Sequence, residues 1–208
     1  MSTILCIDQG TSGTKAVVVD GEDKILAITE IAIRPDYRAG GIVEQDPTEL
    51  MASVMDAASR AVAQAAVPID GVTLTNQGET VLAWDPETGK PLSPMVVWQD
   101  SRAQSVCDPI ADKADLVAQR TGLVLDPYFT APKLAWLRRN VTGEGVVTTS
   151  DAWILHQLTG QMVTDVSTAS RSLVTALDDV AYDDELLGQF GLEGEKMPRI
   201  AANDEVIG

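Results

Sequence analysis

The residues from Ile4 to Asp20 read ILCIDQGTSGTKAVVVD, and this stretch decides the fold. An apolar run ends in Asp8, a turn of small and hydroxylated residues follows, and Lys15 opens a second apolar run rich in β-branched residues. This pattern predicts two strands joined by a tight turn. Backbone N–H groups and hydroxyls in such a turn suit phosphate oxygens, Lys15 adds positive charge, and Asp8 is placed to hold Mg²⁺ through water. The stretch therefore predicts a site for the phosphates of a nucleotide.

This turn does not match the sequence patterns of two other kinds of phosphate-binding loop. It lacks the GxxxxGK[ST] pattern of a P-loop and the GxGxxG pattern of a dinucleotide-binding loop, and it leads into a strand instead of a helix. An ordinary glycine-containing hairpin stays open as an alternative. The acid before the turn, the hydroxyls within it and the base after it favour phosphate binding.

The composition of the 208 residues is that of an acidic globular protein. Hydrophobic residues make up 45% of the chain and aromatic residues only 4%, so we expect an aliphatic core. The formal net charge of −16 disfavours nucleic acid and anionic membrane surfaces as partners. No apolar stretch reaches membrane-spanning length and no basic leader precedes one, so we expect a cytoplasmic protein. Cys6 and Cys107 lack CxxC or Cys/His neighbours, so neither indicates a metal site.

Hydrophobic periodicity predicts a mixed α/β protein in which a meander of antiparallel strands comes first and helices follow. The predicted strands are 3–8, 14–20, 24–32, 71–75, 81–84 and 95–98. The predicted helices are 47–66, 101–120, 131–140, 151–159 and 183–190, of which the first opens with Pro47 and the fourth has Ser150 as N-cap and Gly160 as its terminating glycine. The stretch 34–46 is predicted to be a mobile connection.

Several segments, in the same order along the chain, resemble the N-terminal half of the FGGY carbohydrate kinases, most closely the glycerol kinase branch. They are ILCIDQGTSGTKAVVVD (4–20), VEQDP (43–47), LTNQGETVLAWDPETGKPL (74–92), VVWQDSRA (96–103), TGLVLDPYFTAPKLAWL (121–137), DAWILHQLTG (151–160) and TDVSTASRSL (164–173). The resemblance implies an α/β, ribonuclease-H-like fold of the actin and hexokinase type, with a mixed sheet and flanking helices. Residues 1–208 are then expected to be one N-terminal domain, the sugar-binding half, without the C-terminal ATP-binding domain.

ATP and Mg²⁺ are the cofactors that this resemblance implies. Asp8 corresponds to the family's catalytic acidic residue near the metal and the transferring phosphoryl group. The residues that correspond to the family's cradle for the ATP phosphates are Gly10, Thr11, Ser12, Gly13 and Lys15. Such a turn and a metal ion neutralise the negative charge that develops in phosphoryl transfer.

The resemblance also implies a polyol site made of Gln77, Gly78, Glu79, Trp98 and Tyr128. A carboxylate such as Glu79 accepts hydrogen bonds from two vicinal hydroxyls, and the face of Trp98 suits carbon-bound hydrogens. Taken singly, Glu79 also fits a solvated turn acid, and the two aromatic residues also fit core positions. Gly78 departs from the family, which has Arg there. Because Gly offers none of the guanidinium's donors, we expect a longer uncharged polyol or a ketose instead of glycerol.

Other residues in the matching segments are expected to have structural roles. Asp165, Ser170 and Arg171 are predicted to form a hydrogen-bonded loop, and His156, the only histidine, is not expected to act as a base. The family's catalytic base is an Asp in a GDQ-type motif, and no such motif follows Asp165. We therefore expect little or no kinase activity from this chain by itself, since general-base help is worth ~10²–10⁴-fold.

The favoured function is that of the N-terminal part of an ATP-dependent polyol or sugar kinase, which transfers the γ-phosphate to a substrate hydroxyl. A stand-alone, non-catalytic sugar-binding or assembly module is the alternative. The small-molecule substrate is the expected partner, and a homo-oligomer stays open.

Overall fold

The computed structural model describes residues 2–208, which divide into two compact units. The first unit contains the residues up to Pro35 together with Gln45–Gln77. The second contains Asp36–Glu44 and Gly78–Gly208. No helix in the described part of the chain is both long and apolar enough to cross a membrane.

The chain forms strands and helices of mostly short length. The strands are β1 (Ile4–Gly10), β2 (Gly13–Val19), β3 (Ile25–Ala32), β4 (Asp36–Arg38), β5 (Ile42–Gln45), β6 (Gly71–Asn76), β7 (Val81–Trp84), β8 (Met95–Val96), β9 (Val146–Thr149), β10 (Val163–Asp165) and β11 (Arg199–Ala201). The helices are α1 (Pro47–Ala65), α2 (Gln104–Cys107), α3 (Ala114–Thr121), α4 (Thr130–Asn140), α5 (Ser150–Thr159), α6 (Val166–Ala169) and α7 (Asp184–Phe190), with a 3₁₀ helix (Asp108–Lys113) between α2 and α3.

The first unit is a four-stranded sheet in the order β3-β2-β1-β6, with α1 packed on one face. The strands β1, β2 and β3 form an antiparallel meander, and β6 runs parallel to β1. Alternate residues of β1 and β2, among them Ile7 and Val18, are buried, as expected for strands that have one covered face. Asp46 caps α1 by accepting hydrogen bonds from the backbone N–H groups of Thr48 and Glu49.

The second unit contains the sheet β4-β5-β8-β7-β9 and the short parallel pair β10-β11. All four residues of β7 are buried, because β7 is a central strand of its sheet and the helices α4 and α5 pack against it. The core of this unit is formed by apolar side chains of β7, β9, α4 and α7, including Val81, Leu134, Val147 and Phe190. The core is aliphatic for the most part, as the composition predicts.

Most predicted elements are confirmed. The three strands of the meander, the strands near 71–75 and 81–84, and the helices near 47–66, 131–140 and 183–190 are present within a few residues. Pro47 is the first residue of α1, and Gly160 ends α5 in the left-handed conformation with φ of 75°. Local periodicity and turn chemistry suffice for these elements.

Three predictions are wrong in detail. The stretch 34–46, for which only a mobile connection is predicted, contains regular structure, because Asp36–Arg38 pairs with Ile42–Glu44 as a hairpin. The single helix predicted over 101–120 is broken into α2, the 3₁₀ helix and α3, and Ile110 has non-helical backbone angles just after Pro109, which cannot donate a backbone hydrogen bond. Ser150 is the first residue of α5, and Thr149 occupies the N-cap position.

Candidate functional site

The predicted phosphate turn joins β1 to β2 in the first unit. Gly10 pairs with Gly13 across the hairpin, so Thr11 and Ser12 form the two-residue turn, and Ser12 is exposed. A Cβ at Gly13 would approach the carbonyl oxygen of Ile31 to 2.8 Å. The start of β2 therefore requires glycine at position 13, and the turn presents the Ser12 hydroxyl to solvent.

Asp8 and Lys15 are direct cross-strand partners beside this turn. Both are exposed, and both lie on the sheet face opposite to the buried Ile7. Thr75 of β6 and Glu30 of β3 continue the row on either side. A carboxylate and an ammonium group thus lie next to each other where the sequence predicts metal and phosphate contacts.

The donor set at Asp8 fits Mg²⁺. Among residues 2–208 there is no group of three or more His, Cys, Asp or Glu side chains that would cage a metal ion. One exposed carboxylate suits Mg²⁺, which keeps several waters and is commonly bound by one or two carboxylates together with substrate phosphates.

Three buried glutamines lie below the turn. Gln45 donates from Nε2 to the carbonyl oxygen of Thr11 at 2.8 Å, and Gln77 donates from Nε2 to Oε1 of Gln45 at 2.7 Å. The backbone N–H of Gln77 also donates to the carbonyl of Gln9 at 2.8 Å. Gln77, predicted at the polyol site, therefore supports the backbone of the predicted phosphate turn within the first unit.

Glu79 has the most unusual conformation of the predicted polyol residues. Its φ is 58°, a left-handed value that costs a non-glycine residue about 1–3 kcal/mol. It is only 5% exposed, and its carboxylate accepts a hydrogen bond from Nε of Arg171 in an ion pair. A buried, paired glutamate in a strained conformation does not match the alternative of a solvated turn acid.

Tyr128 lies at the centre of an aromatic cluster in the second unit. Its ring centroid is 5.5 Å from that of Trp98 and 5.3 Å from that of Phe129, in edge-to-face contacts. The guanidinium carbon of Arg171 lies 5.6 Å from the Tyr128 ring and 5.2 Å from the Phe129 ring. Trp98 and Tyr128 are half-buried, so neither is enclosed in the core.

Arg171 contacts both Glu79 and Tyr128, so its role is not confined to the hydrogen-bonded loop that the sequence predicts. Asp165 and Ser170 do form the expected hydrogen-bonded loop, since Asp165 caps α6 and Ser170 donates to the carbonyl of Ser167. The side chain of Arg171 leaves that loop and reaches Glu79, and the hydrogen bond to Glu79 raises the pKa of Arg171. The only sequence signal for this contact is the family segment 164–173, which does not specify the partner.

Gly78, which precedes Glu79, borders open space. A Cβ built at this position meets no heavy atom within 4 Å, and its φ is not in the left-handed region. Backbone geometry therefore does not require glycine here, and a side chain at this position would have room.

Lys133 holds the backbone that presents Tyr128. It is fully buried in α4, and its Nζ donates to the carbonyl oxygens of Pro127 at 3.0 Å, of Phe129 at 2.7 Å and of Tyr128 at a short distance. Burial lowers the pKa of Lys133 to about 7, although the charge of Glu79 opposes this shift. Sequence reasoning missed this residue, because an apolar helix face with one lysine does not show where the ammonium group points.

His156 has the structural position that the sequence predicts. Its ring packs against the buried Trp84 with centroids 4.5 Å apart, and its Nδ1 has no hydrogen-bond partner in the described part of the chain.

The sequence matches a known domain of the carbohydrate kinases. The family model described as "FGGY family of carbohydrate kinases, N-terminal domain" matches residues 3–208. The chain belongs to this family, which confirms the resemblance that the sequence segments indicate.

Curated relatives with similar sequences are glycerol kinases. The chain is 39% identical over 223 residues to the glycerol kinase of Leptothrix cholodnii, an alignment that covers 100% of this chain and 45% of that protein. It is 36% identical over 219 residues to the glycerol kinase of Aquifex aeolicus, with 100% of this chain and 44% of that protein covered. The chain therefore spans just under half the length of the curated relatives it matches.

Solved structures confirm the predicted fold class. The structure of Plasmodium falciparum glycerol kinase with ADP matches with a TM-score of 0.87 and 29% identity, covering 96% of this chain and 43% of that one. The ligand-bound xylulose kinase from Lactobacillus acidophilus matches with a TM-score of 0.91 over 100% of this chain and 44% of that one, and at 23% identity it supports the fold alone.

Proposed function

We propose that this chain is the substrate-binding half of an ATP-dependent kinase that phosphorylates a small polyol or sugar. The observation that carries the proposal is the convergence of Glu79, Trp98 and Tyr128, with Arg171, in the second unit. These residues come from four separate segments of the sequence, and their charges and rings suit a molecule that combines hydroxyls with carbon-bound hydrogens. The name of the curated relatives, glycerol kinase, supports a small polyol as the substrate class.

Each proposed substrate contact has a chemical role. Glu79 accepts hydrogen bonds from substrate hydroxyls, because a carboxylate has several acceptor positions and Arg171 takes only part of them. Trp98 offers an apolar face to carbon-bound hydrogens, and the Tyr128 hydroxyl both donates and accepts. The open space beside Gly78 supports a substrate longer than glycerol.

The phosphate turn of the first unit is proposed to bind the nucleotide. The residues proposed for the phosphates are Gly10, Thr11, Ser12, Gly13 and Lys15, and Asp8 is proposed to hold Mg²⁺. When bound, the metal ion would neutralise negative charge on the phosphates during transfer. The exposed position of both charged side chains beside the turn supports this assignment. The free thiols of Cys6 and Cys107 support a reducing compartment such as the cytoplasm, where ATP is abundant.

The proposed reaction forms a bond from a substrate hydroxyl oxygen to the γ-phosphorus and breaks the bond from that phosphorus to the β-phosphate oxygen. The hydroxyl proton has to pass to a base. This sequence contains no GDQ-type motif, which supplies the base in the family. We therefore expect the 208 residues to bind polyol while turning over little or no ATP.

Ligand-observed NMR titration of the purified chain with glycerol, erythritol and xylitol tests the proposal. We expect binding in the millimolar range and a loss of tenfold or more in the Glu79→Ala variant. Glu195→Ala is the matched control, because Glu195 also pairs with an arginine, Arg138, in the same unit. A folded wild-type chain that binds none of the polyols would contradict the proposal, and so would equal losses in both variants.

A further inference from the structure

We propose that Gln45 is a positioning residue for the nucleotide phosphates, because it fixes the turn between β1 and β2 with the backbone N–H of Ser12 directed outward. This inference rests on the proposed function, since it concerns the same phosphate turn. It gives a role in nucleotide binding to a buried side chain to which neither the sequence motifs nor the family match assigns one.

The first argument is that the hairpin does not fix the shape of its own turn. The two-residue turns that hairpins favour have positive φ at one or both central residues, because their twist then matches that of the flanking strands. Neither Thr11 nor Ser12 has a positive φ. The turn therefore depends on contacts from outside the hairpin to keep its shape.

The second argument is that other segments supply these contacts. Nε2 of Gln45 donates to the carbonyl oxygen of Thr11 at 2.8 Å, and the backbone N–H of Ile33 donates to that of Ser12 at 3.1 Å. Gln45 is only 5% exposed, so its side chain approaches the turn from inside the first unit. The carbonyl oxygens of both central residues, which would repel a phosphate, are thereby held by protein donors.

The third argument is the geometry of the peptide bond between Thr11 and Ser12. This bond is trans, so its carbonyl oxygen and its N–H point in opposite directions. Because Gln45 holds the carbonyl inward, the N–H of Ser12 faces outward. In the described part of the chain, the hydrogen bonds of Ser12 are confined to its carbonyl oxygen, and the residue is exposed. Ser12 therefore offers an N–H and a hydroxyl to a phosphate oxygen.

Gln77 fixes which end of the Gln45 amide faces the turn. A side-chain amide has a donor end and an acceptor end, whereas the carbonyl oxygen of Thr11 can only accept. Oε1 of Gln45 accepts from Nε2 of Gln77 at 2.7 Å, so Nε2 of Gln45 is directed to the turn. The series of hydrogen bonds thus has one direction, from Gln77 through Gln45 to Thr11.

NMR titration of the ¹⁵N-labelled 208-residue chain with inorganic tripolyphosphate and equimolar Mg²⁺ tests the inference. We expect the wild type to bind this probe and to show a shift of the Ser12 backbone N–H resonance. Gln45→Met keeps the length of the side chain without a donor, and it should weaken binding by about five- to tenfold and reduce the Ser12 shift. Gln157→Met is the matched control, because Nε2 of Gln157 also holds a loop carbonyl, that of Gly89, at 2.7 Å in the second unit. Its tripolyphosphate affinity should match that of the wild type.

A second variant guards against misfolding of the first. Gln45→Met leaves the Thr11 carbonyl without its donor, so near-ultraviolet circular dichroism must show that the variant is folded. Gln77→Met keeps Gln45 and removes only the group that orients its amide, so it should weaken binding by a smaller factor, about two- to fivefold. A purely structural role would lower the stability of both variants and leave the affinity and the Ser12 shift of the folded protein unchanged.

The outcomes separate the inference from the proposed function. Unchanged affinity and Ser12 shift in folded Gln45→Met would overturn the role of Gln45, and so would equal losses in Gln45→Met and Gln157→Met. If Gln45→Met does not fold, an unchanged affinity in Gln77→Met would overturn it. A folded wild-type chain that does not bind tripolyphosphate would instead overturn the nucleotide site of the proposed function.

Discussion

Replacing Lys133 with Met tests how the backbone that carries Tyr128 is held in place. Met has a similar length and no donor, so the change removes three hydrogen bonds, to the carbonyl oxygens of Pro127, Tyr128 and Phe129, without leaving a large cavity. We expect the variant to fold and to unfold at lower denaturant concentration than the wild type.

The size of the effect follows from two opposing contributions. A buried acceptor that loses its partner costs about 1–3 kcal/mol, so three of them cost about 3–9 kcal/mol. Burial lowers the pKa of Lys133 from 10.5 to about 7. At about 1.4 kcal/mol per pKa unit, Met therefore removes an unfavourable contribution of about 5 kcal/mol. Subtracting about 5 from about 3–9 kcal/mol gives a range from about 2 kcal/mol of stabilisation to about 4 kcal/mol of destabilisation, and the midpoint predicts a loss of about 1 kcal/mol in the free energy of unfolding.

Urea unfolding followed by tryptophan fluorescence measures this loss, and Lys90→Met serves as the control because Lys90 is exposed. A Lys133→Met variant as stable as the wild type, or more stable, would refute the reasoning. It would show that desolvation of the ammonium group outweighs its three hydrogen bonds.

The same substitution has a pH dependence of defined sign. The pKa of Lys133 is lowered in the folded protein to about 7, so from about pH 7 to about pH 10 the unfolded chain binds more protons at this residue. The contribution of Lys133 to stability therefore rises with pH in this window, by at most about 1.4 kcal/mol per pH unit. The stability difference between wild type and Lys133→Met should grow from about pH 7 to about pH 9, and a shrinking difference would contradict the shift.

Three further predictions concern residues outside the site. Asp151→Asn should raise the free energy of unfolding near neutral pH by about 1–3 kcal/mol, because burial raises the pKa of Asp151 and the amide oxygen still accepts the hydrogen bond from Thr164. Thermal unfolding at pH values above and below about 4 checks this, since the gain in stability should vanish when the carboxyl is protonated. Gly145→Ala should lower the free energy of unfolding by about 2–4 kcal/mol, because the φ of Gly145 is 64° and a Cβ would lie 2.3 Å from the carbonyl oxygen of Trp84. Gly143→Ala is the control in the same urea assay, and it should lower the free energy of unfolding by less than about 1 kcal/mol, because a Cβ there meets nothing within 4 Å. Cys107 should resist iodoacetamide near pH 8 until the protein unfolds, because it is buried and its pKa is raised to about 11; rapid native-state labelling in peptide mass spectra would be the opposite result.

The long-range contacts of the second unit explain where sequence reasoning failed. The β4–β5 hairpin has exposed and charged residues and no clean alternation, yet it forms because Asp100 accepts from the backbone of Val43 and Arg102 pairs with Glu44. These partners lie more than fifty residues away along the chain. Hydrophobic periodicity reports only on residues that are close in sequence, so it cannot predict these long-range hydrogen bonds and ion pairs.

The sequence by itself determined the meander, the tight turn at Thr11 and Ser12, and helix α1, because strand alternation, glycine requirement and helix capping are set by residues within a few positions of each other. The family resemblance placed Glu79, Trp98 and Tyr128 in one site by position in the chain. Only the tertiary structure decided that Glu79 is buried in a left-handed conformation and that Arg171 is its partner, since the two are separated by 92 residues. A contact between distant segments depends on how all the intervening elements pack, and no local pattern encodes it.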